Sequence, residues 1–203
     1  MNKTNHSNIL IIGGGCAGIS VATRLHNLKS DLSISIVEPS DQSLYQAAWT
    51  LVGAGAYDKD KTIKPMTEVM PSYVNWIKDH AESFAPESNS VKTSNGEHSY
   101  DYLVVCPGLK INYAGIPGLQ ESIGKNNVCT NYSADMAVYT WECLKNLKGG
   151  TLLFTEPPMP IKCAGAPQKI AYLAADHLKQ KGLLNESNFC LLYTSPSPRD
   201  SSK

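Results

Sequence analysis

A glycine-rich segment near the N-terminus constrains the fold of this chain more than any other feature. Residues 13–18 (GGGCAG) fit the pattern G-x-G-x-x-G. An apolar run at 8–12 (NILII) precedes them and predicts a buried parallel strand, and residues 16–29 carry apolar side chains at helical spacing. Residues 32–38 (LSISIVE) alternate and contain β-branched side chains, which predicts a second strand. The sequence therefore predicts a strand–helix–strand unit with parallel strands and a right-handed crossover.

Each part of this segment has a role in holding a dinucleotide. Gly13 permits the tight turn, Gly15 lets the backbone approach a pyrophosphate, and Gly18 lets the helix pack closely on the strand. The amides of Cys16 and Ala17 are predicted to point at the phosphates from the helix N-terminus. We therefore predict a dinucleotide site, with a ligand-free glycine turn as the alternative. The motif alone does not separate FAD from NAD.

An acidic residue ends the second predicted strand. Glu38 follows Gly18 by twenty residues, the separation at which Rossmann-like folds place a carboxylate beside a ribose. This carboxylate can accept hydrogen bonds from ribose hydroxyls, and it would repel a 2′-phosphate. The predicted fold class is therefore α/β, with a Rossmann-like dinucleotide-binding domain.

Charge and cysteine spacing exclude several classes of protein. Lysine plus arginine and aspartate plus glutamate both number 18, so no net charge attracts the chain to nucleic acid or anionic lipid. No signal or transit peptide precedes the first strand, which predicts a cytosolic or cytosol-facing protein. The cysteines show neither C-x-x-C spacing nor zinc-ligand spacing to histidine, so we predict no metal site. Most of the six thiols are expected to be small buried side chains.

Downstream patterns predict further strands and helices. The elements are a hairpin turn at Asn95-Gly96, a buried strand at 101–105 (DYLVV), an amphipathic helix at 134–147, a strand at 151–155 (TLLFT), a helix from about Pro167 to Lys181 and a strand from about Asn188. We predict one domain over 1–148, the start of a second dinucleotide-type domain over 149–190, and a disordered tail over 191–203. The serine and proline content of that tail is typical of disorder.

A cysteine follows the strand at 151–155. Flavoproteins that use NAD(P)H carry a second glycine fingerprint after the corresponding strand, but EPPMPIKCAGAPQK contains none. Cys163 instead lies just before a predicted helix, near the cations Lys162 and Lys169. These charges and the helix N-terminus favour the thiolate, which is the nucleophilic form. We predict a reactive cysteine, with a structural cysteine in a proline-rich turn as the alternative.

Several segments resemble the sulfide:quinone oxidoreductase family, in its mitochondrial-like group. The strongest are YQAAWTLVGAG at 45–55 and KCAGAPQKI at 162–170. VEPSDQSLYQ, NWIKDHA and TNYSADMAVYTWE resemble that family in the same order. The resemblance covers residues 8 to about 190.

The resemblance implies a two-dinucleotide-binding-domain flavoprotein that holds FAD and does not use NAD(P)H. The implied FAD contacts are the loop glycines, the amides of Cys16 and Ala17, Glu38 at the ribose, Gln46, the backbone of Ala81 near the adenine, and Gly108 against the flavin. Cys163 matches one of two redox-active cysteines. The implied reaction begins with attack of sulfide on a sulfur-bridged cysteine pair, which leaves a persulfide on one member. Two electrons then pass to FAD and on to a membrane quinone, and the bound sulfur passes to a small acceptor.

The chain also departs from this family. The family's second half, which would supply the partner cysteine, the quinone pocket and a membrane-binding region, is not in the sequence. From about Leu191 the pattern is lost, and we interpret 191–203 as non-native. We expect this polypeptide alone to bind FAD weakly and not to turn over sulfide. The complete enzyme is expected to be a peripheral membrane protein, on the cytoplasmic face in bacteria or at the mitochondrial inner membrane. No nucleic-acid partner is predicted, and the oligomeric state is left open.

The sequence allows two alternative functions. The chain could be an FAD-binding fragment without activity, or an NADH:quinone oxidoreductase-like flavoprotein, although the latter needs the second glycine fingerprint. Cys129 lies near the position of a third, flavin-proximal cysteine in some family members. Cys143 and Cys190 are predicted to be core residues. Tyr45 and Trp49 could line the active site or lie in the core.

Overall fold

The computed structural model describes residues 5–193. The helices are α1 (Cys16–Leu28), α2 (Trp49–Gly53), α3 (Met66–Val69), α4 (Leu119–Ser122), α5 (Ala134–Asn146) and α6 (Gly165–Gln180). The strands are β1 (His6–Ile12), β2 (Ile34–Val37), β3 (Gln42–Leu44), β4 (Ile63–Pro65), β5 (Val74–Ile77), β6 (Ala81–Ala85), β7 (Ser90–Thr93), β8 (Gly96–Val105), β9 (Gly150–Thr155) and β10 (Ser187–Leu192).

The chain forms two compact units. The first takes in the chain up to Tyr45 together with Ile63–Lys110, and the second takes in Gln46–Thr62 together with the chain from Ile111 onward. The predicted boundary between residues 148 and 149 concerns the domains of a complete protein and stays a prediction. Residues 194–203 of the predicted tail lie outside the described residues. The first two residues of that tail, Leu191 and Leu192, are the last two of β10.

A six-stranded sheet in the order β5-β2-β1-β8-β7-β6 forms the centre of the first unit. β1 pairs in parallel with β2, in a register that sets Ile12 beside Val37, and α1 connects the two strands. The predicted strand–helix–strand unit with parallel strands is therefore confirmed. β8 lies on the other side of β1, also parallel. The ends of β1, β2 and β8 consequently meet at one edge of the sheet, where the glycine loop begins.

Alternate residues of β1 are buried on opposite faces of the sheet. Ile9 and Ile11 pack in one cluster with Ala22 of α1, whereas Leu10 and Ile12 pack in another with Val91 of β7. Burial on both faces explains why NILII is continuously apolar rather than alternating. This core fixes the strand that carries the glycine loop.

Replacement of Leu10 by alanine is expected to lower the free energy of unfolding by about 2–5 kcal/mol, because it leaves a cavity in a packed core. Leu10 is 0% exposed, whereas Leu28 at the end of α1 is 66% exposed. Leu28→Ala is therefore the matched control, with an expected change within about 0.5 kcal/mol. Urea unfolding of both variants checks the prediction, and equal losses would contradict the assigned core.

The prediction of a buried strand at 101–105 is only partly right. These residues do form the end of β8, but Tyr102 is 70% exposed and Val105 is 55% exposed. An apolar run measures the tendency of side chains to be buried, and it carries no information on whether a covering element is present. The hairpin at Asn95-Gly96 is confirmed, since β7 and β8 pair antiparallel on either side of it.

The carboxylate of Asp79 fixes the turn that precedes β6. Oδ1 accepts hydrogen bonds from Ser94 Oγ (2.6 Å) and His80 N (2.7 Å), and Oδ2 accepts one from Asn95 N (2.9 Å). The bond from Ser94 is the largest of the causes that hold the pKa of Asp79 well below its usual range, against the opposing effect of desolvation. This turn sets the backbone at the first residue of β6, Ala81.

Asp79→Asn is expected to lower the free energy of unfolding at neutral pH. This difference from the wild type should disappear in acid. The folded-state pKa lies below the unfolded value of about 3.9. The stabilising contribution is therefore fully present above the unfolded value, and it is lost as the pH falls through the lowered folded value. Urea unfolding over that acid range checks this, with Asp31→Asn at an exposed position as the control. A stability difference between wild type and Asp79→Asn that grows in acid would contradict the assignment.

The second unit contains a smaller strand–helix–strand arrangement. β9 and β10 pair in parallel, and α6 connects them. Leu144 of α5 and Ile170 and Ala174 of α6 form a buried cluster against which Phe154 and Phe189 pack. The strand at 151–155, the helix at 134–147, the helix near 167–181 and the strand near 188 are thus confirmed. α6 begins at Gly165, two residues before the predicted start.

Candidate functional site: the glycine loop and the Cys163 loop

Two glycines of the loop are required by close backbone contacts. Gly13 has φ +100°, and a Cβ there would lie 2.0 Å from Cys106 O at the end of β8. A Cβ on Gly18 would lie 1.9 Å from Gly13 O. Both distances are far below van der Waals contact, so any larger residue would push the turn and α1 apart. The predicted roles of these glycines in the turn and in packing agree with this geometry.

Gly15 faces open space instead. It has φ −73° and ψ −170°, and a Cβ there would meet nothing within 4 Å. The first helical hydrogen bond of α1 joins Ile19 N to Gly15 O, so the amides of Cys16 and Ala17 have no partner within the helix. Both residues are exposed. The structure therefore has an open position in front of the N-terminus of a 13-residue helix, which suits a pyrophosphate.

The carboxylate of Glu38 is held against the glycine loop. Oε2 accepts a hydrogen bond from Gly14 N and Oε1 accepts one from Ser40 N, both at 2.8 Å. The Trp76 indole donates to Glu38 O at 2.8 Å, which fixes the backbone. A Cβ on Gly14 would lie 2.8 Å from the Glu38 side chain, so Gly14 also has a structural role that the motif did not reveal. A carboxylate has about four acceptor positions, so Glu38 can still accept from ribose hydroxyls.

Two further predicted contacts lie in the first unit. Gly108 follows the end of β8 with φ +75°, and a Cβ there would meet nothing within 4 Å. Ala81 packs against the cluster that includes Ile12 and Val37, the last residues of β1 and β2. Gln46 opens a short 3₁₀ turn at Gln46–Ala48 in the second unit. The loop and Glu38 together fit a dinucleotide, whereas the roles of Ala81, Gly108 and Gln46 stay predictions.

Cys163 lies exposed in the connection between β9 and α6. Its carbonyl accepts hydrogen bonds from Tyr132 Oη and from Ala166 N, both at 3.1 Å. The backbone of Cys163 is therefore fixed, and the residue is exposed. Tyr132, which the sequence analysis did not identify as part of this region, is brought here by the segment before α5.

The ammonium group of Lys162 lies between two aromatic rings. Nζ is 5.4 Å from the centroid of the Trp49 ring and 5.5 Å from that of Tyr132. These distances are within the range of cation–π attraction. Burial lowers the pKa of Lys162, and the negative charge of a Cys163 thiolate acts in the opposite direction. Burial raises the pKa of Tyr132, and Cys163 adds to that effect. A Cys163 thiolate is therefore close enough to affect the protonation of both Lys162 and Tyr132.

The remaining predictions for this region have mixed outcomes. Trp49 is 4% exposed and donates through Nε1 to Thr62 Oγ1 at 3.3 Å, so it is a core residue as well as a partner of Lys162. Tyr45 is 57% exposed. Lys169 is exposed on the second turn of α6.

The expectation that most thiols are buried is wrong. Within residues 5–193, Cys16, Cys163 and Cys190 are exposed and the other three cysteines are of intermediate exposure. Cys190 is not a core residue because alternate residues of β10 face opposite sides, and Phe189 occupies the packed side. No group of three or more potential metal ligands occurs in the part of the chain that the structure describes. In the same part, no helix is long and apolar enough to cross a bilayer.

A family model described as Pyridine nucleotide-disulphide oxidoreductase matches residues 7–138. The chain belongs to the pyridine nucleotide-disulphide oxidoreductase family. Its membership confirms the predicted α/β class with a Rossmann-like FAD-binding domain. Proteins of the pyridine nucleotide-disulphide oxidoreductase family that resemble this chain are FAD-dependent flavoproteins.

Relatives of this chain within the family are named sulfide:quinone oxidoreductases. The mitochondrial protein of Dictyostelium discoideum is 44% identical over 182 residues, which are 88% of this chain and 40% of that protein. The mitochondrial protein of Mus musculus is 40% identical over 185 residues, 91% of this chain and 41% of that protein. The X-ray structure of the sulfide:quinone oxidoreductase of Aquifex aeolicus matches with a TM-score of 0.76 and 26% identity, covering 95% of this chain and 44% of that one. The resemblance stated from the sequence is therefore confirmed, and the chain spans about 40% of the length of these curated relatives.

Proposed function

We propose that this chain is part of a flavoprotein that oxidises sulfide and transfers the electrons to a membrane quinone. The observation that carries the proposal is the exposed thiol of Cys163 between β9 and α6, where a glycine fingerprint for NAD(P)H is absent. A thiol at this position suits a sulfur substrate and replaces the site that a nicotinamide donor would need. The similarity to proteins named sulfide:quinone oxidoreductases supports the same function.

The first unit would hold the ADP moiety of FAD. The pyrophosphate would lie over Gly15, where the amides of Cys16 and Ala17 donate hydrogen bonds. Glu38 would accept from the ribose hydroxyls. We assign Ala81 to the adenine, Gly108 to the flavin, and Gln46 to a further contact, as the resemblance implies. When bound, FAD supplies a two-electron acceptor.

Cys163 would take part in thiol–disulfide exchange. Hydrosulfide attacks a sulfur bridge between Cys163 and a second cysteine, a new sulfur–sulfur bond forms on one of them, and the other leaves as a thiolate. The second cysteine is expected in the portion of the relatives that this chain does not span. Lys162 has a positioning role in this step, because its ammonium group attracts hydrosulfide and stabilises the departing thiolate. Its location between Trp49 and Tyr132 keeps that charge near Cys163.

Steady-state quinone reduction tests the proposal. A protein that carries this sequence at the length of its relatives should reduce a soluble quinone with sulfide as donor and a nucleophilic sulfur acceptor present. The quinone partner implies peripheral membrane association, at the mitochondrial inner membrane or the cytoplasmic face of a bacterial membrane. Quinone reduction that depends on NADH and not on sulfide would contradict the proposal.

A further inference from the structure

Two cysteines other than Cys163 are neighbours in the second unit. Cys143 is on α5, and Cys129 is in the segment that leads into this helix. Asn127, two residues before Cys129, lines the same cleft as Cys143, so the two cysteines are neighbours although they are 14 positions apart. Cys129 Sγ also lies 3.5 Å from Asn127 O. The Cys129 thiol therefore donates its hydrogen bond to the carbonyl of Asn127.

A tight turn holds Cys129 against α5. Asn126 and Asn127 have φ values of 50° and 63°, a left-handed conformation that asparagine adopts more readily than most residues. The amide of Asn127 donates to Tyr139 Oη at 3.1 Å. Tyr139 precedes Cys143 by one helical turn, so the two side chains lie on the same face of α5. The turn is thus anchored on the helix face that carries Cys143.

An open cleft gives access to one of the two thiols. Its volume is about 400 Å³, and it is lined by Cys143 together with Asn127, Tyr139, Glu142, Asn146, Leu147 and Lys148. Cys129 is not among the lining residues, and both cysteines are of intermediate exposure. A small solute in this cleft therefore meets Cys143 and not Cys129.

Burial and the adjacent Cys143 raise the pKa of Cys129 to about 12. Cys129 consequently stays protonated at neutral pH and acts as a hydrogen-bond donor. It becomes a nucleophile only when a base removes that proton, which makes its reaction slower than that of an ordinary thiol and faster as the pH rises.

We propose that Cys129 and Cys143 form a redox-active dithiol that reacts with a small-molecule disulfide in this cleft. The thiolate of Cys143 attacks one sulfur of R–S–S–R, a mixed disulfide forms on Cys143, and one R–S⁻ leaves. Cys129 then loses its proton to solvent and attacks Cys143 Sγ, so that the internal disulfide forms and the second R–S⁻ leaves. The two cysteines are oxidised, and R–S–S–R is reduced to two R–SH.

The internal disulfide would restrain the segment that contacts the Cys163 loop. Tyr132 follows Cys129 by three residues and donates its hydroxyl to Cys163 O. A covalent bond at Cys129 therefore limits the movement of a residue that holds the Cys163 backbone. The formation of the disulfide itself does not depend on the proposed function.

Peptide mapping after oxidation tests this proposal on the 203-residue chain. The chain is incubated with glutathione disulfide, blocked with N-ethylmaleimide and digested with trypsin. No lysine or arginine lies between Cys129 and Lys145, so both cysteines fall in the peptide 126–145. The expected product is this peptide without maleimide and lighter by two hydrogen atoms. Chymotrypsin, which cleaves at Tyr132, Tyr139 and Trp141, should then leave two fragments joined until a reductant is added.

Single variants separate this route from random oxidation. Cys129→Ser should trap one glutathione on Cys143. Glutathione addition to Cys129 in the Cys143→Ser variant should be at least tenfold slower than that addition to Cys143. Cys190→Ser, which removes an exposed thiol, should leave the internal disulfide unchanged. In the wild type, Cys129 loses its proton more readily as the pH rises. The fraction of the peptide trapped as the Cys143 mixed disulfide should therefore fall. A peptide 126–145 that carries two maleimides, or a disulfide from Cys129 or Cys143 to another cysteine, would overturn the proposal.

Discussion

Replacement of Cys163 by serine is expected to abolish sulfide oxidation in a protein that carries this sequence at the length of its relatives. A hydroxyl cannot form the sulfur–sulfur bond of the proposed exchange, so kcat should fall by a factor on the order of 10⁴ or more. The fold should be retained, because the structure uses the carbonyl of Cys163 for its contacts with Tyr132 and Ala166, and serine keeps that carbonyl. FAD content and melting temperature should therefore match those of the wild type.

Cys190→Ser is the matched control for this loss. Cys190 is an exposed thiol on β10, so the same substitution there should leave kcat unchanged. Steady-state quinone reduction with sulfide as donor measures both variants. Full activity in Cys163→Ser would remove Cys163 from the mechanism, and equal losses in the two variants would point to a general effect of thiol removal.

Gly15→Val is expected to weaken FAD binding by a factor on the order of 100, equivalent to about 3 kcal/mol. The backbone of Gly15 has φ −73° and ψ −170°, which any residue adopts, and a Cβ there meets nothing within 4 Å. The chain itself therefore accepts valine, but the branched side chain fills the position proposed for the pyrophosphate. Titration of the chain with FAD, followed by flavin fluorescence, measures the dissociation constant.

A second valine on the same helix provides the control. Ser20 is exposed on α1, away from the helix N-terminus, so Ser20→Val should bind FAD as the wild type does. The melting temperatures without FAD should agree among wild type, Gly15→Val and Ser20→Val. Undiminished FAD binding by a folded Gly15→Val variant would show that the pyrophosphate lies elsewhere.

The elements that the sequence predicted well are those determined by local pattern. β1 is determined by NILII, the loop by GGGCAG, and α1 by the helical spacing of the apolar residues that follow. Hydrophobic periodicity and glycine conformations act over only a few residues, so such elements can be predicted locally. The same holds for α6 after the Cys163 loop. The parallel pairing of β1 with β2 followed from the strand–helix–strand order, which allows few other arrangements.

The features that the sequence did not predict depend on contacts between distant segments. The packing of Gly14 against Glu38 and the position of Lys162 between Trp49 and Tyr132 each join residues far apart in the chain. The exposure of Cys190 depends on which face of β10 is covered, and an apolar run does not contain that information. Cys129 and Cys143 are 14 positions apart with no sequence pattern that joins them, and the turn at Asn126 and Asn127 beside α5 is a feature of the folded chain.

The most direct test of the central claim is anaerobic reduction of the bound flavin, followed by its visible absorption. The measurement uses the FAD-loaded protein that carries this sequence at the length of its relatives, and it compares sulfide with NADH as the only reductant. We expect sulfide to bleach the flavin rapidly and NADH to leave it oxidised, because a thiol at Cys163 stands where a nicotinamide site would need its glycine fingerprint. Bleaching by NADH without bleaching by sulfide would contradict the account and would favour an NADH-dependent flavoprotein.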